Sequence, residues 1–184
     1  LIAERCNISK VALDRERGKV VIILSMKPGT AIRTAGHYCL NNLLEGISQQ
    51  KGSYLLLFEV REQFAVKVGR LGRCQFKSGA YVYSGSAFGP GGLKARVTRH
   101  VRLRKKRHWH IDYVRSRMTL RQVLCAVGTR EECDWSKRFE ESGLQMPVAK
   151  FGSSDCQCHS HFFYSPDLQS LMATVRSLDM QKAS

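Results

Sequence analysis

The chain has 184 residues and a formal net charge of +15, a length suited to one domain with an extension. Hydrophobic residues make up 43% of it, so an ordinary core can form, but no apolar run is long enough to cross a bilayer. Such an excess of positive charge lies outside the range of a neutral enzyme and favours a polyanionic partner, either nucleic acid or an anionic membrane surface.

Residues 1–50 read as an N-terminal extension without a recognisable motif. They hold a charged segment, then the apolar run Val20, Val21, Ile22, Ile23, Leu24 that reads as a buried strand. A turn signal at Lys27, Pro28, Gly29, Thr30 and a weakly helical stretch over 37–47 follow. From Gly52 the pattern sharpens. Residues 53–60 form a strand rich in Leu, Tyr and Phe, and the alternating segment 64–68 is expected to pair with it. A turn at 69–72 precedes strands at 74–76 and 80–84. The glycine-rich turn Gly89, Pro90, Gly91, Gly92 launches a helix over 93–103, with Leu93, Val97 and Val101 as its apolar stripe. Residues 108–114 are a short helix or an extended segment. The apolar run 123–127 suits a central strand, and Cys125 within it reads as a small buried hydrophobe.

Thr129 is expected to cap the next helix, with Glu132 at the capping-box position, Trp135 and Phe139 on the apolar side, and Gly143 at the end. A short strand at 148–151, a loop over 152–160 and an aromatic strand at 161–164 come next. Ser165 and Pro166 open a last helix with Leu168, Leu171, Met172, Val175 and Leu178 on one face. The irregular alternation of strands and helices gives an α+β fold, a small mixed or antiparallel sheet flanked by helices. The expected division is 1–50 as the extension, 51–165 as the domain, and 166–184 as a helix packing on it.

Two clusters carry chemistry. Residues 94–108 contain Lys94, Arg96, Arg99, Arg102, Arg104, Lys105, Lys106 and Arg107, with His100 and His108, and no acidic residue. Positive charge at that density points to a phosphate backbone, and His110 two residues on is a further phosphate contact or a structural hydrogen bond. The second cluster is Cys156, Cys158 and His161, with Cys133 as a further ligand if the fold brings it close. Thiolates and imidazoles at this density suit zinc; the alternative is a structured loop holding reduced thiols. The seven cysteines are odd in number and irregular in spacing, against a secreted disulfide framework. With no signal peptide evident, an intracellular compartment is expected: cytoplasm, nucleus or organelle.

The ordered set of motifs resembles the GIY-YIG nuclease superfamily, in its Uri-type endonuclease branch. The carrying residues are Gly52, Ser53 and Tyr54 on the first strand, then Tyr83, Ser84, Gly85, Ser86 and Ala87. The helix start Gly91 to Arg96, the run His108 to Tyr113, Glu132 to Trp135, and Phe151 to Cys158 complete the set. The resemblance spans about 52–164. It implies a DNA phosphodiesterase using a single divalent metal, Mg²⁺ or Mn²⁺. It assigns Tyr54 and Tyr83 as paired tyrosines, with Tyr83 favoured over Tyr54 as the base toward water, and Arg96 as the group meeting phosphate charge. His100 becomes a proton carrier and Glu132 the metal ligand, with Glu131 beside it as the alternative. The long interval between Tyr54 and Tyr83, and Ser86 where relatives carry lysine, depart from the core pattern. The expected partner is DNA, whether single-stranded, duplex or branched, and not a membrane. Two other readings stay open: a non-catalytic nucleic-acid-binding module, and a zinc- or redox-sensing interaction protein.

Overall fold

The structure, a computed structural model, describes residues 8–11, 21–26 and 47–180. Eight strands and four α-helices follow one another in these segments. They are β1 (Ile8–Val11), β2 (Val21–Met26), β3 (Gly52–Val60), β4 (Phe64–Lys67), β5 (Arg73–Phe76), β6 (Gly79–Ser86), α1 (Gly92–Val101), α2 (His110–Val114), β7 (Thr119–Val127), α3 (Glu132–Glu141), β8 (Phe162–Ser165) and α4 (Leu168–Met180). The main sheet is antiparallel, in the order β1-β2-β7-β3-β6-β8. The expected α+β class, an antiparallel sheet flanked by helices, is the one observed.

Helices cover both faces of the sheet, which is why β3 and β7 are buried nearly throughout rather than on alternate residues. Tyr54, Leu56 and Phe58 of β3 pack with Leu93, Val97 and Val101 of α1 and with Ile111 and Val114 of α2. Leu55 and Leu57, on the opposite face, pack with Trp135 and Phe139 of α3 and with Leu171, Val175 and Leu178 of α4. The apolar stripes expected for these helices are the ones buried. Cys125 is fully buried in β7.

Four local expectations need correction. The segment at Phe64 does not pair with β3: it pairs with β5 in a separate two-stranded ribbon, because β6 and β7 already occupy both edges of β3. No strand forms at 148–151. Lys150 adopts a left-handed φ of 58°, which interrupts extended backbone, and the neighbouring ladder is reduced to a single bridge between Gln145 and Tyr164. Helix α1 stops at Val101, with Arg102 extended; the crowded cations that follow would repel one another along a helix face. Thr129 does not cap α3, which begins at Glu132 with Glu131 in the cap position.

The apolar run of the extension is β2, which pairs with β7 from Val21 opposite Ala126 to Ser25 opposite Gln122. The expected turn at 27–30 and all of the expected helical stretch at 37–47 except Ile47 lie outside the described residues.

Candidate active site

Strand β3 begins, β6 ends, and helices α1 and α3 both start at one end of the sheet. A cleft of about 620 Å³ opens there, and its walls include Tyr54, Tyr83, Arg96, Glu132, His108 and His110. Four elements distant in sequence thus bring four of the five expected catalytic residues to one space. The fifth, His100, lies one layer deeper and only 1% exposed, with Nε2 2.7 Å from the Tyr54 hydroxyl.

Two glycines make room for the tyrosines. Gly85 stands opposite Tyr54 in the β3–β6 ladder, and a Cβ there would collide with the Tyr54 phenol. Gly152 has a φ of 78°, and its Cβ would come within 2.7 Å of Tyr83 Cε2. Gly85→Ala is therefore expected to push Tyr54 off His100 and to cost about 1–3 kcal/mol of stability, the usual scale for overpacking a filled interior. Urea unfolding measures it; an unchanged midpoint would mean the phenol has slack.

Burial dominates the electrostatics of the inner layer. It raises the Tyr54 phenol well above its ordinary range, reinforced by Tyr83 and opposed by Arg96, and it raises Tyr83 in the same way. Burial, with Lys105 adding to it, pushes His100 down to about 3. At neutral pH the pair is a phenol beside a neutral imidazole, since neither charged form is solvated there.

Arg96 projects from the second turn of α1 and lies over the Trp109 ring, its Cζ 4.2 Å from the centroid. Arg99 lies 4.7 Å from the same ring. This stacking fixes a guanidinium whose planar fork suits phosphate oxygens. Glu132 accepts a 2.6 Å hydrogen bond from the buried Ser53 hydroxyl. Ser53 also accepts from the Glu131 backbone N–H. A strand residue therefore does the work expected of a Thr129 cap, and the Glu132 carboxylate faces the cleft. Glu131, buried, does not line it.

The basic run divides into two groups. Arg102, Arg104, Lys106, Arg107 and His108 are exposed, and Lys94 is partly exposed. Lys105 is turned inward, its side chain 6% exposed and Nζ 2.7 Å from Asp112 Oδ1. Arg99 Nη2 lies 3.0 Å from Asp112 Oδ2. The reading of Lys105 as a phosphate contact is thereby redirected: its charge is engaged by a buried carboxylate. His110 Nδ1 accepts from the Gly152 N–H at 3.0 Å, the structural alternative of its two readings. Replacing Arg104, Lys106 and Arg107 by alanine is expected to flatten the salt dependence of polyanion binding by about two to three in log–log slope while the fold is kept. Fluorescence titration across salt concentrations checks this, and an unchanged slope would remove the loop from the binding face. Lys105→Ala should instead unfold the protein more readily, because it takes the cation away from a buried Asp112 Oδ1 and leaves only Oδ2 engaged.

A third group adjoins the cleft. Cys133 at the start of α3, Cys156 and Cys158 from the 152–160 loop, and His161 before β8 bring their ligand atoms within 4.8 Å of one another. Cys156 Sγ is 3.4 Å and Cys133 Sγ 3.9 Å from His161 Nε2. Burial, followed by the crowding of neighbouring thiols, raises Cys133. Such a group can hold a metal ion, whose charge would stabilise the thiolates that water does not.

Sequence reasoning missed several participants. Asp112 and Trp109 lie within the 108–113 motif, which assigns them no role, although the acid is alone among the cations around it. Asp155 lines the cleft, as does Arg130, whose Cζ lies 3.9 Å over the Phe88 ring. An isolated arginine in a loop gives no sequence signal for such stacking.

Neither a curated protein nor a solved structure matches the chain. One family does: the domain of unknown function DUF123, whose sequence model matches residues 53–183. That span runs from the second residue of β3 beyond the end of α4 and contains every cleft residue discussed above, so the chain belongs to the DUF123 family.

Proposed function

We propose that this protein is a metal-dependent endonuclease of the GIY-YIG type, in its Uri-type branch, hydrolysing phosphodiester bonds of DNA. The observation that carries this reading is the convergence of Tyr54, Tyr83, Arg96 and Glu132 on one cleft beside an exposed basic loop. A binding module would need the loop, but not a buried tyrosine–histidine pair next to a carboxylate and an arginine.

The raised Tyr54 phenol argues against a standing phenolate as base. A relay avoids one: Tyr54 accepts a proton from the attacking water as it passes its own to His100 Nε2 across the 2.7 Å bond. Arg96, held on Trp109, neutralises charge growing on the phosphate oxygens. Tyr83 borders the same space and orients the water. Glu132, with Asp155 nearby in the wall, offers the hard oxygen ligands that Mg²⁺ or Mn²⁺ prefers. Glu132 Oε1 has no partner among the described residues. A divalent ion bound there supplies positive charge at the phosphate.

In the neighbouring cluster, three thiols and one imidazole fit tetrahedral zinc better than a hard ion. We assign zinc a structural role, tying the 152–160 loop to the start of α3, where Glu132 lies one residue before Cys133.

Incubation with single-stranded, duplex and branched DNA in Mg²⁺, Mn²⁺ or EDTA tests the reading. Cleavage that EDTA abolishes is expected; no product from any substrate with either metal would overturn it.

A further inference from the structure

Asp112 sits in the interior at the start of α2, its side chain fully buried. Three donors hold its Oδ2, namely Arg99 and the backbone N–H groups of His108 at 3.0 Å and Trp109 at 3.2 Å, and Lys105 ion-pairs with Oδ1 at 2.7 Å. Its Oδ1 also lies 3.8 Å from Nδ1 of His100. We propose that Asp112 is a positioning residue for the Tyr54–His100 pair: it selects the histidine tautomer that can accept the tyrosine proton, and it steadies the imidazolium formed when that proton arrives. This rests on the endonuclease reading for its catalytic consequence, but not for the tautomer.

His100 is enclosed on every side. Tyr54 and Tyr83 approach from the sheet, Arg96 and Arg99 from its own helix, Lys105 from the basic loop, and Trp109 and Asp112 from the segment that follows. Arg115 binds its backbone carbonyl. Among the described residues Nδ1 has no hydrogen-bond partner, and the nearby carboxylate is the group it faces. A lone pair on Nδ1 would oppose that carboxylate; a proton there is attracted by it. Nδ1 therefore carries the proton, which leaves Nε2 to accept from Tyr54. At 3.8 Å the Nδ1 contact is electrostatic. A closure of about 1 Å on substrate binding would make it a hydrogen bond, a tightening typical of sites seen without substrate. Burial and the repulsion from Lys105 outweigh the carboxylate's attraction, with Arg96 and Arg99 adding to them, so His100 stays neutral until a proton is delivered.

Asp112→Asn alone strands Lys105 in the interior and would confuse folding with mechanism. The test is the pair Asp112→Asn with Lys105→Met, which removes both buried charges together. The double variant is expected to melt close to the parent and to bind DNA within a few-fold. It should lose ~10–100-fold in kcat at unchanged KM, the scale for removing a group that orients a working histidine. In the DNA-free protein, ¹⁵N NMR of the histidine rings should show His100 protonated at Nδ1 in the parent and as a tautomer mixture in the double variant. A parent ring protonated at Nε2, or a double variant as fast as the parent, overturns the proposal. If the parent cuts no DNA, the endonuclease reading fails, and the tautomer alone decides the placement of Asp112.

Discussion

Arg96→Ala is expected to lower the cleavage rate by ~100-fold or more while leaving the fold and most of the DNA affinity in place. The fold survives because Arg96 is partly exposed beside the stripe of Leu93, Val97 and Val101, which supplies the buried face of α1. Affinity survives because Arg102, Arg104, Lys106 and Arg107 remain exposed nearby. The rate falls because the guanidinium meets charge that exists only in the transition state. Arg96→Lys should recover little: an ammonium keeps the charge but lacks the planar fork and its stacking on Trp109. Glu132→Gln should lose cleavage through the hard metal instead. It does not perturb a capping box, since α3 begins at Glu132 itself. Glu131→Gln should change the rate far less. Single-turnover cleavage with gel-shift affinities in parallel measures all four; parental rates in both Arg96→Ala and Glu132→Gln would place the chemistry elsewhere.

Metal removal gives the second large effect. Protein purified without chelator is expected to carry about one zinc per chain, and Cys156→Ser to lose it. The melting temperature should fall by on the order of 10 °C, the scale of losing a few kcal/mol in a domain of this size. The reason is local. Residues 152–160 contain turns but no strand or helix, and their backbone anchors are few, Lys150 N–H to His159 O and His161 N–H to Phe151 O. Without the metal, three thiols converge with nothing to offset their crowding. Cleavage should decline with the loss, because Cys133 adjoins Glu132 and Gly152 abuts Tyr83. Elemental analysis and thermal melts decide. Metal-free protein with an unchanged melting temperature would make the cluster a set of reduced thiols, and iron with visible absorbance would contradict zinc.

Legibility in the sequence followed the range of the interactions. The helix stripes at Leu93, Val97, Val101 and at Leu171, Val175, Leu178 were readable because helical burial repeats locally. The partner of Phe64 was not, because pairing depends on which edges of β3 remain open, a property of the whole sheet. Glu132 looked like a capping residue because spacing alone cannot reveal Ser53, which reaches it across 79 positions. Lys105 looked like its neighbours in the basic run, and only the placement of Asp112 beneath it distinguishes an inward lysine from outward ones. The cysteine cluster was half visible: Cys156, Cys158 and His161 are close in sequence, while Cys133 joins them only through the packing of α3 beside β8.

The pairing of β2 with β7 has a consequence for how the molecule behaves among its own copies. β2 covers the side of β7 that β3 does not. Truncation to residues 51–184 would uncover a row of unpaired backbone donors and acceptors along Gln122, Val123, Leu124, Cys125 and Ala126. That edge is uncharged, strongly β-forming and free of proline, the kind that recruits a strand from another molecule. Trimmed protein should therefore associate through open edges, although every residue of the cleft is retained. A strand from outside the family-matched region thus shields this edge of β7.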